Sequence, residues 1–144
     1  MLKFSTLVRN TPRNIIENTK SVHTQRLVQA WSSVDEKGRM FKGVMIHSRA
    51  TSVIRLVQIR LYAPAKGTPI FDHNIWVHCS CEYWLFNLEV ALTTQGSSSI
   101  INSNGEYPAI RNPHLSPHVC KHVYAAVPLI ARIKAWPYIP RKKP

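Results

Sequence analysis

Two short motifs limit how this chain can fold: Cys79-Ser80-Cys81 and Cys120-Lys121-His122, set apart by residues 82–119. Alternate side chains on a strand share a face, so cysteines at i and i+2 can both point at one ion. The second pair repeats that spacing. Together the pairs offer three thiolates and an imidazole, the donor set that tetrahedral zinc takes. All three cysteines of the chain are used, and four protein ligands leave no open position for a catalytic water. The sequence therefore predicts one closed, structural Zn2+ site made by Cys79, Cys81, Cys120 and His122. His118 precedes Cys120 by the spacing at which His122 follows it, and is the alternative fourth ligand. Three buried cysteines beside an unrelated histidine are the plainer alternative. An odd cysteine count, with Cys79 and Cys81 too close to pair readily, argues against a disulfide framework.

The segments around these motifs point to an α+β domain: a small antiparallel sheet followed by two helices around the zinc site, with extended N- and C-terminal arms. Residues 1–20 are polar, basic and aperiodic, with Thr11-Pro12 disfavouring a helix across the junction, and read as an arm. Residues 21–31 place Leu27, Ala30 and Trp31 on one side of a short helix. Asp35-Glu36-Lys37-Gly38 is a turn, and Met40–Ser48 a strand. Val53–Tyr62 alternates with apolar residues on both faces, as a central or doubly covered strand does. Asn74–Cys79 is a third strand. From Glu82 to Thr93 the period becomes helical, with Ser80 as its cap. Asn104-Gly105 signals a hairpin between Ile100–Asn102 and Ala109–Arg111. Ser116 and Pro117 open a last helix from His118 to Lys134, with Pro128 expected to kink it. The domain reading is an arm over 1–20, one domain over 21–134 and a basic tail over 135–144.

Charge narrows the partners. The chain has 19 Lys and Arg against seven Asp and Glu, a formal net of +12. Twelve of the basic residues and three of the acids lie in residues 1–70. That balance suits a polyanion, either nucleic acid or an acidic protein surface. Arg9, Arg13, Lys20, Arg26, Lys42, Arg49, Arg55, Arg60, Arg141, Lys142 and Lys143 are the candidate contacts. No recognition helix with a base-reading set is visible, so any DNA contact is expected to be with phosphates. No run nears the roughly 20 apolar residues of a membrane span, and no phosphate loop or paired-carboxylate site appears. Neither a membrane, a small-molecule substrate nor enzyme activity is expected.

C-x-C, a spacer, then C-x-H resembles the SWIM zinc finger, in which a small β-hairpin carrying C-x-C precedes a helix carrying C-x-H. The resemblance covers roughly residues 53–134 and matches at Cys79, Cys81, Cys120 and His122. The spacer is long for that motif and holds a predicted helix and hairpin of its own. The fuller run WVHCSCEYWLFNLEVAL with SNGEYPAIRNPHLSPHVCKHVYAAV is similar to small proteins of large tailed bacteriophages. That likeness implies a viral origin and a place among virion components. The leading expectation is a non-enzymatic, zinc-stabilised structural subunit of a virion, bridging neighbouring virion proteins through its arms. The alternative is a nucleic-acid-binding accessory protein acting in the host cytoplasm during infection.

Overall fold

In the computed structural model, which describes residues 1–62, 67–101, 103–109 and 111–133, the chain is α+β. Its centre is a five-stranded antiparallel sheet. The strands are β1 (Leu2–Lys3), β2 (Thr24–Val34), β3 (Met40–Arg49), β4 (Arg55–Leu61) and β5 (Asn74–Cys79), in the order β1-β5-β4-β3-β2. Helices α1 (Phe4–Arg9) and α2 (Arg13–Asn18) precede most of the sheet. After β5 come a π-helical stretch (Trp84–Leu88), α3 (Glu89–Thr94) and α4 (Lys121–Ala131).

β4 explains the layering. Directly opposed residues of antiparallel strands share a face, so the pairs Val57↔Cys79, Ile59↔Val77, Val57↔Ile46 and Ile59↔Val44 make one apolar layer. Val44, Ile46, Val57, Ile59, Leu61 and Val77 are wholly buried there, with Phe4 and Leu7 of α1 and Val123, Ala126 and Ile130 of α4. The other face of the same strands carries Trp31, Phe41, Arg60 and Trp76. As the doubly apolar pattern predicts, β4 is central.

Residues 1–20, expected to be an extended arm, are instead folded in. Two six-residue helices flank Thr11-Pro12, too short to show a helical period. Leu2 pairs with Ile75 at the sheet edge, Phe4 stacks on Phe71 with ring centroids 5.2 Å apart, and Ile15 is buried. The helix expected over 21–31 is also corrected: residues 24–31 of this segment lie in β2. A bulge between Leu27 and Gln29 shifts the register, so that Leu27 opposes Ile46 and Ala30 opposes Val44. Leu27 and Ala30 thus share a face at a spacing of three, and a β-bulge imitates helical periodicity.

The turn at 35–38 is as expected, with Gly38 at φ +78° and Asp35 Oδ1 accepting the amides of Lys37 and Arg39. The Asn104-Gly105 hairpin is not formed among the described residues, which hold no strand over 100–111. Ile101 and Tyr107 on its flanks are exposed, so pairing them would bury no apolar layer. The last helix starts at Lys121, three residues later than expected, because Ser116 gives its amide to Asn112 Oδ1 and stays in the preceding turn. That helix continues through Pro128 as far as Ala131. The tail, with Arg141, Lys142 and Lys143, lies outside the described residues.

Gly43 shows how tightly the second face is packed. A Cβ there would stand 2.9 Å from two ring atoms of Trp31 and 3.2 Å from Phe41. Gly43→Ala is predicted to cost about 1–3 kcal/mol by displacing the indole, measured by urea denaturation. An unchanged midpoint and slope would show that the ring yields freely.

Candidate metal centre

The four predicted donors come together. Ligand atoms of Cys79, Cys81, Cys120 and His122 all lie within 4.8 Å of one another, and all four residues are buried. Metal–sulfur bonds of about 2.3 Å in a tetrahedron imply sulfur–sulfur edges of about 3.8 Å, which this cluster can meet. Nδ1 of His122 is buried without a hydrogen-bond partner, a need that a metal or a small movement of the ring towards one would satisfy. The donor chemistry and the burial both fit a metal ion.

Local structure sets each donor. Cys79 ends β5, paired with Val57. Ser80 continues that ladder: its amide reaches Leu56 O, and its Oγ accepts the Leu56 amide at 2.8 Å. Ser80 is therefore not the helix cap. Cys81 takes that part, its carbonyl accepting Leu85 N–H at 3.2 Å and its sulfur accepting Trp84 N–H at 3.4 Å. Cys120 caps α4 and its carbonyl accepts Tyr124 N–H, which puts His122 in the first turn. Helix N-termini favour thiolates, and two of the three sulfurs sit at one.

Burial pushes the Cys79 and Cys120 thiols well above their ordinary pKa. Cys81 goes the other way: hydrogen bonds from Cys120 first and Cys79 second hold it far below. A bound cation would displace the protons that the thiols carry.

His118 does not join the cluster. Its Nε2 lies 2.7 Å from Tyr83 Oη, and its pKa is lowered by burial. His78 points to the opposite face from Cys79 and is buried. There Nε2 lies 3.5 Å from Glu89 Oε1, and burial lowers its pKa against the pull of that carboxylate. His73 Nδ1 is 2.9 Å from Pro69 O, and His114 is exposed. Of the three aromatic residues after the second cysteine, Trp84 is buried, Tyr83 meets His118 and Phe86 is 53% exposed.

The spacer is fastened by polar residues that sequence reasoning missed. Glu89 is wholly buried and accepts the amides of Ile101 and, at 2.9 Å, Ser103. The side-chain amide of Asn87 donates to Tyr83 O, and that of Asn112 to Asn87 O. Those bonds brace the π-helical stretch and tie it to Asn112 at the far end of the spacer. The signal was present: Glu89 is the one acid inside the apolar run WLFNLEVAL, and a buried carboxylate needs donors.

The predicted basic contacts do not share one surface. Arg9, Arg13 and Lys20 are exposed on the α1–α2 segment. Lys42 opposes Leu61 and bonds Ser32 Oγ, and Arg55 opposes Ser48, both on the core-side face. Arg26, Arg49 and Arg60 lie on the other. Arg55 also lines a cavity of about 300 Å³ with Lys121, Cys81 and His122. Compared with known proteins, the chain matches no family model, and no curated protein or solved structure matches it significantly.

Two outcomes follow from this geometry. Metal analysis should find one ion per chain, retained by His118→Ala and lost from Cys120→Ser; loss from His118→Ala would show the ligand set to be wrong. Glu89→Ala should destabilise the fold by about 3 kcal/mol, since two part-buried amides lose their buried acceptor. Glu89→Gln, which keeps one, should cost less in the same thermal melt.

Proposed function

We propose that this chain is a non-enzymatic, zinc-stabilised interaction subunit. The observation that carries the reading is the burial of all four donors in one cluster. A catalytic metal keeps a position open to water or substrate, whereas three sulfurs and one imidazole close a tetrahedron and suit zinc before other divalent ions. Zinc held this way contributes on the order of 10 kcal/mol to folding, comparable with the whole stability of an ordinary domain. The ion's role is then to fix β5 against α4.

The likeness to tailed-phage proteins makes the virion the proposed setting, with other virion structural proteins as neighbours. Residues 1–18 fold onto the sheet, so bridging would fall to exposed basic surfaces and not to an N-terminal arm. The second reading, a nucleic-acid-binding accessory protein of the host cytoplasm, is favoured by the excess of 19 basic over seven acidic residues. Its contacts would be with phosphates, without sequence preference.

Quantitative mass spectrometry of gradient-purified particles, against infected-cell lysate, separates the two readings. A fixed copy number that survives high salt is the expected result; abundance in lysate with absence from particles would overturn the virion reading. Chelation should abolish the cooperative melt of the isolated protein, and a full melt after verified metal loss would overturn the structural role of zinc.

A further inference from the structure

The face of β2–β4 turned away from α4 is built differently from the core face. Its rings form a continuous array: Trp31 meets Phe41 edge-on at 6.3 Å, and Phe41 meets Tyr62 at 5.7 Å. Guanidinium groups lie among them. Arg60 sits 4.5 Å from the centroid of Phe41 and 4.0 Å from that of Trp76, and Arg39 lies 4.6 Å from that of Tyr62. Phe41 and Trp76 are buried as the floor of this array, while Trp31, Tyr62 and Arg60 remain partly open to solvent. Trp31 rests against Gly43, where no side chain intervenes between the indole and the backbone.

Charge on this face is one-sided. Arg26 opposes His47, Arg49 ends β3 beyond Ser48, and Arg60 opposes both Gly43 and Trp76. None of these three arginines has a carboxylate partner among the described residues. The Nε of Arg60 is buried without a partner, and so is the Nε of Arg49. The nearby acid, Asp35, is taken by Arg39 at 3.0 Å. A buried, unpaired donor costs about 1–3 kcal/mol, and here two cations of one face carry that cost beside the partly exposed rings of Trp31 and Tyr62. Ordinary core packing would favour an apolar side chain at either position.

We propose that this open face of β2–β4 binds single-stranded nucleic acid. Trp31 and Tyr62 stack unpaired bases, and Arg26, Arg49 and Arg60 face the phosphates. Duplexes hide their base faces, so a flat platform of rings and guanidinium groups discriminates in favour of single strands. The inference rests on the nucleic-acid reading of the basic charge and adds to it the strand state and the surface.

The test uses the full metal-loaded chain with labelled oligothymidylate and oligouridylate of about 12 nucleotides and a duplex of equal length, titrated at several salt concentrations. Both single strands should bind more tightly than the duplex, quench tryptophan fluorescence and weaken steeply with salt; tighter binding by one of them tells DNA from RNA. Trp31→Ala should lower single-strand affinity by about tenfold or more. Arg26→Glu, on an exposed rim position that leaves the ring array intact, should lower it by about threefold to tenfold even if Trp31→Ala fails to fold. Arg13→Glu, on α2, should change it little. Failure to bind any of the three nucleic acids at low salt would overturn both the inference and the nucleic-acid reading. Binding that prefers duplex, or that responds to Arg13→Glu and not to Arg26→Glu, would overturn the inference and leave the broader reading standing. Equal competition by poly-glutamate would overturn it in favour of an acidic protein partner.

Discussion

Cys79, Cys81, Cys120 and His122 bring three separate parts of the chain to one point. Cys79 belongs to the sheet, Cys81 starts the helical segment that leaves it, and Cys120 with His122 opens α4. α4 then lays Val123, Ala126 and Ile130 across the core face. Buried thiols pack as small apolar groups, but here the three sulfurs and a ring nitrogen of His122 also converge to within 4.8 Å of one another, as the donors of a metal site do. The N-terminal segment is drawn into the same arrangement, since Thr11 Oγ1 donates to Leu7 O and accepts the Val119 amide beside Cys120. Sheet, entry helices and final helix therefore meet around one cluster.

The sheet is asymmetric because β4 carries two incompatible patterns. Its core-side residues, Val57, Ile59 and Leu61, are wholly buried and supply the hydrophobic driving force. Its other side carries Leu56, Gln58 and Arg60, all half-buried, where rings and guanidinium groups take the place of aliphatic packing. Cation–π contacts of this kind are worth roughly 0.5–2 kcal/mol each, enough to order a surface but not to replace a core.

What could be read from the sequence depended on whether a local pattern matched the tertiary demand. β5 was legible to the residue, because Ile75, Val77 and Cys79 alternate cleanly against Trp76 and His78. The metal cluster was legible because its ligand types are scarce and its spacings strict. β2 was not, since its bulge set Leu27 and Ala30 three residues apart on one face. The helices before it escaped because six residues cannot display a period, and Phe4 and Leu7 gain their meaning only from distant Phe71 and the sheet. Between the ligand pairs, Asn104-Gly105 signalled a local hairpin, but Glu89 took the amides of Ile101 and Ser103 and gave that stretch another course. A long-range hydrogen bond to a buried carboxylate leaves no periodic trace.

The metal cluster and the basic face are electrostatically separate, which bears on why so strong a positive balance persists. Three thiolates around a divalent ion would lower the formal +12 by only one, and Lys121 and Arg55 line the cavity beside Cys81 and His122. The site is thereby supplied with compensating cations of its own. Arg26, Arg49 and Arg60 lie across the sheet from it, and the low-dielectric layer of Val44, Ile46, Val57 and Ile59 stands between. Their charge is not needed to hold the sulfurs, and no carboxylate among the described residues neutralises it. A chain with seven acids could have placed one of them opposite Arg60 and gained a conventional ion pair at little structural cost. It places aromatic rings there instead, which leaves the positive field of that face directed outward.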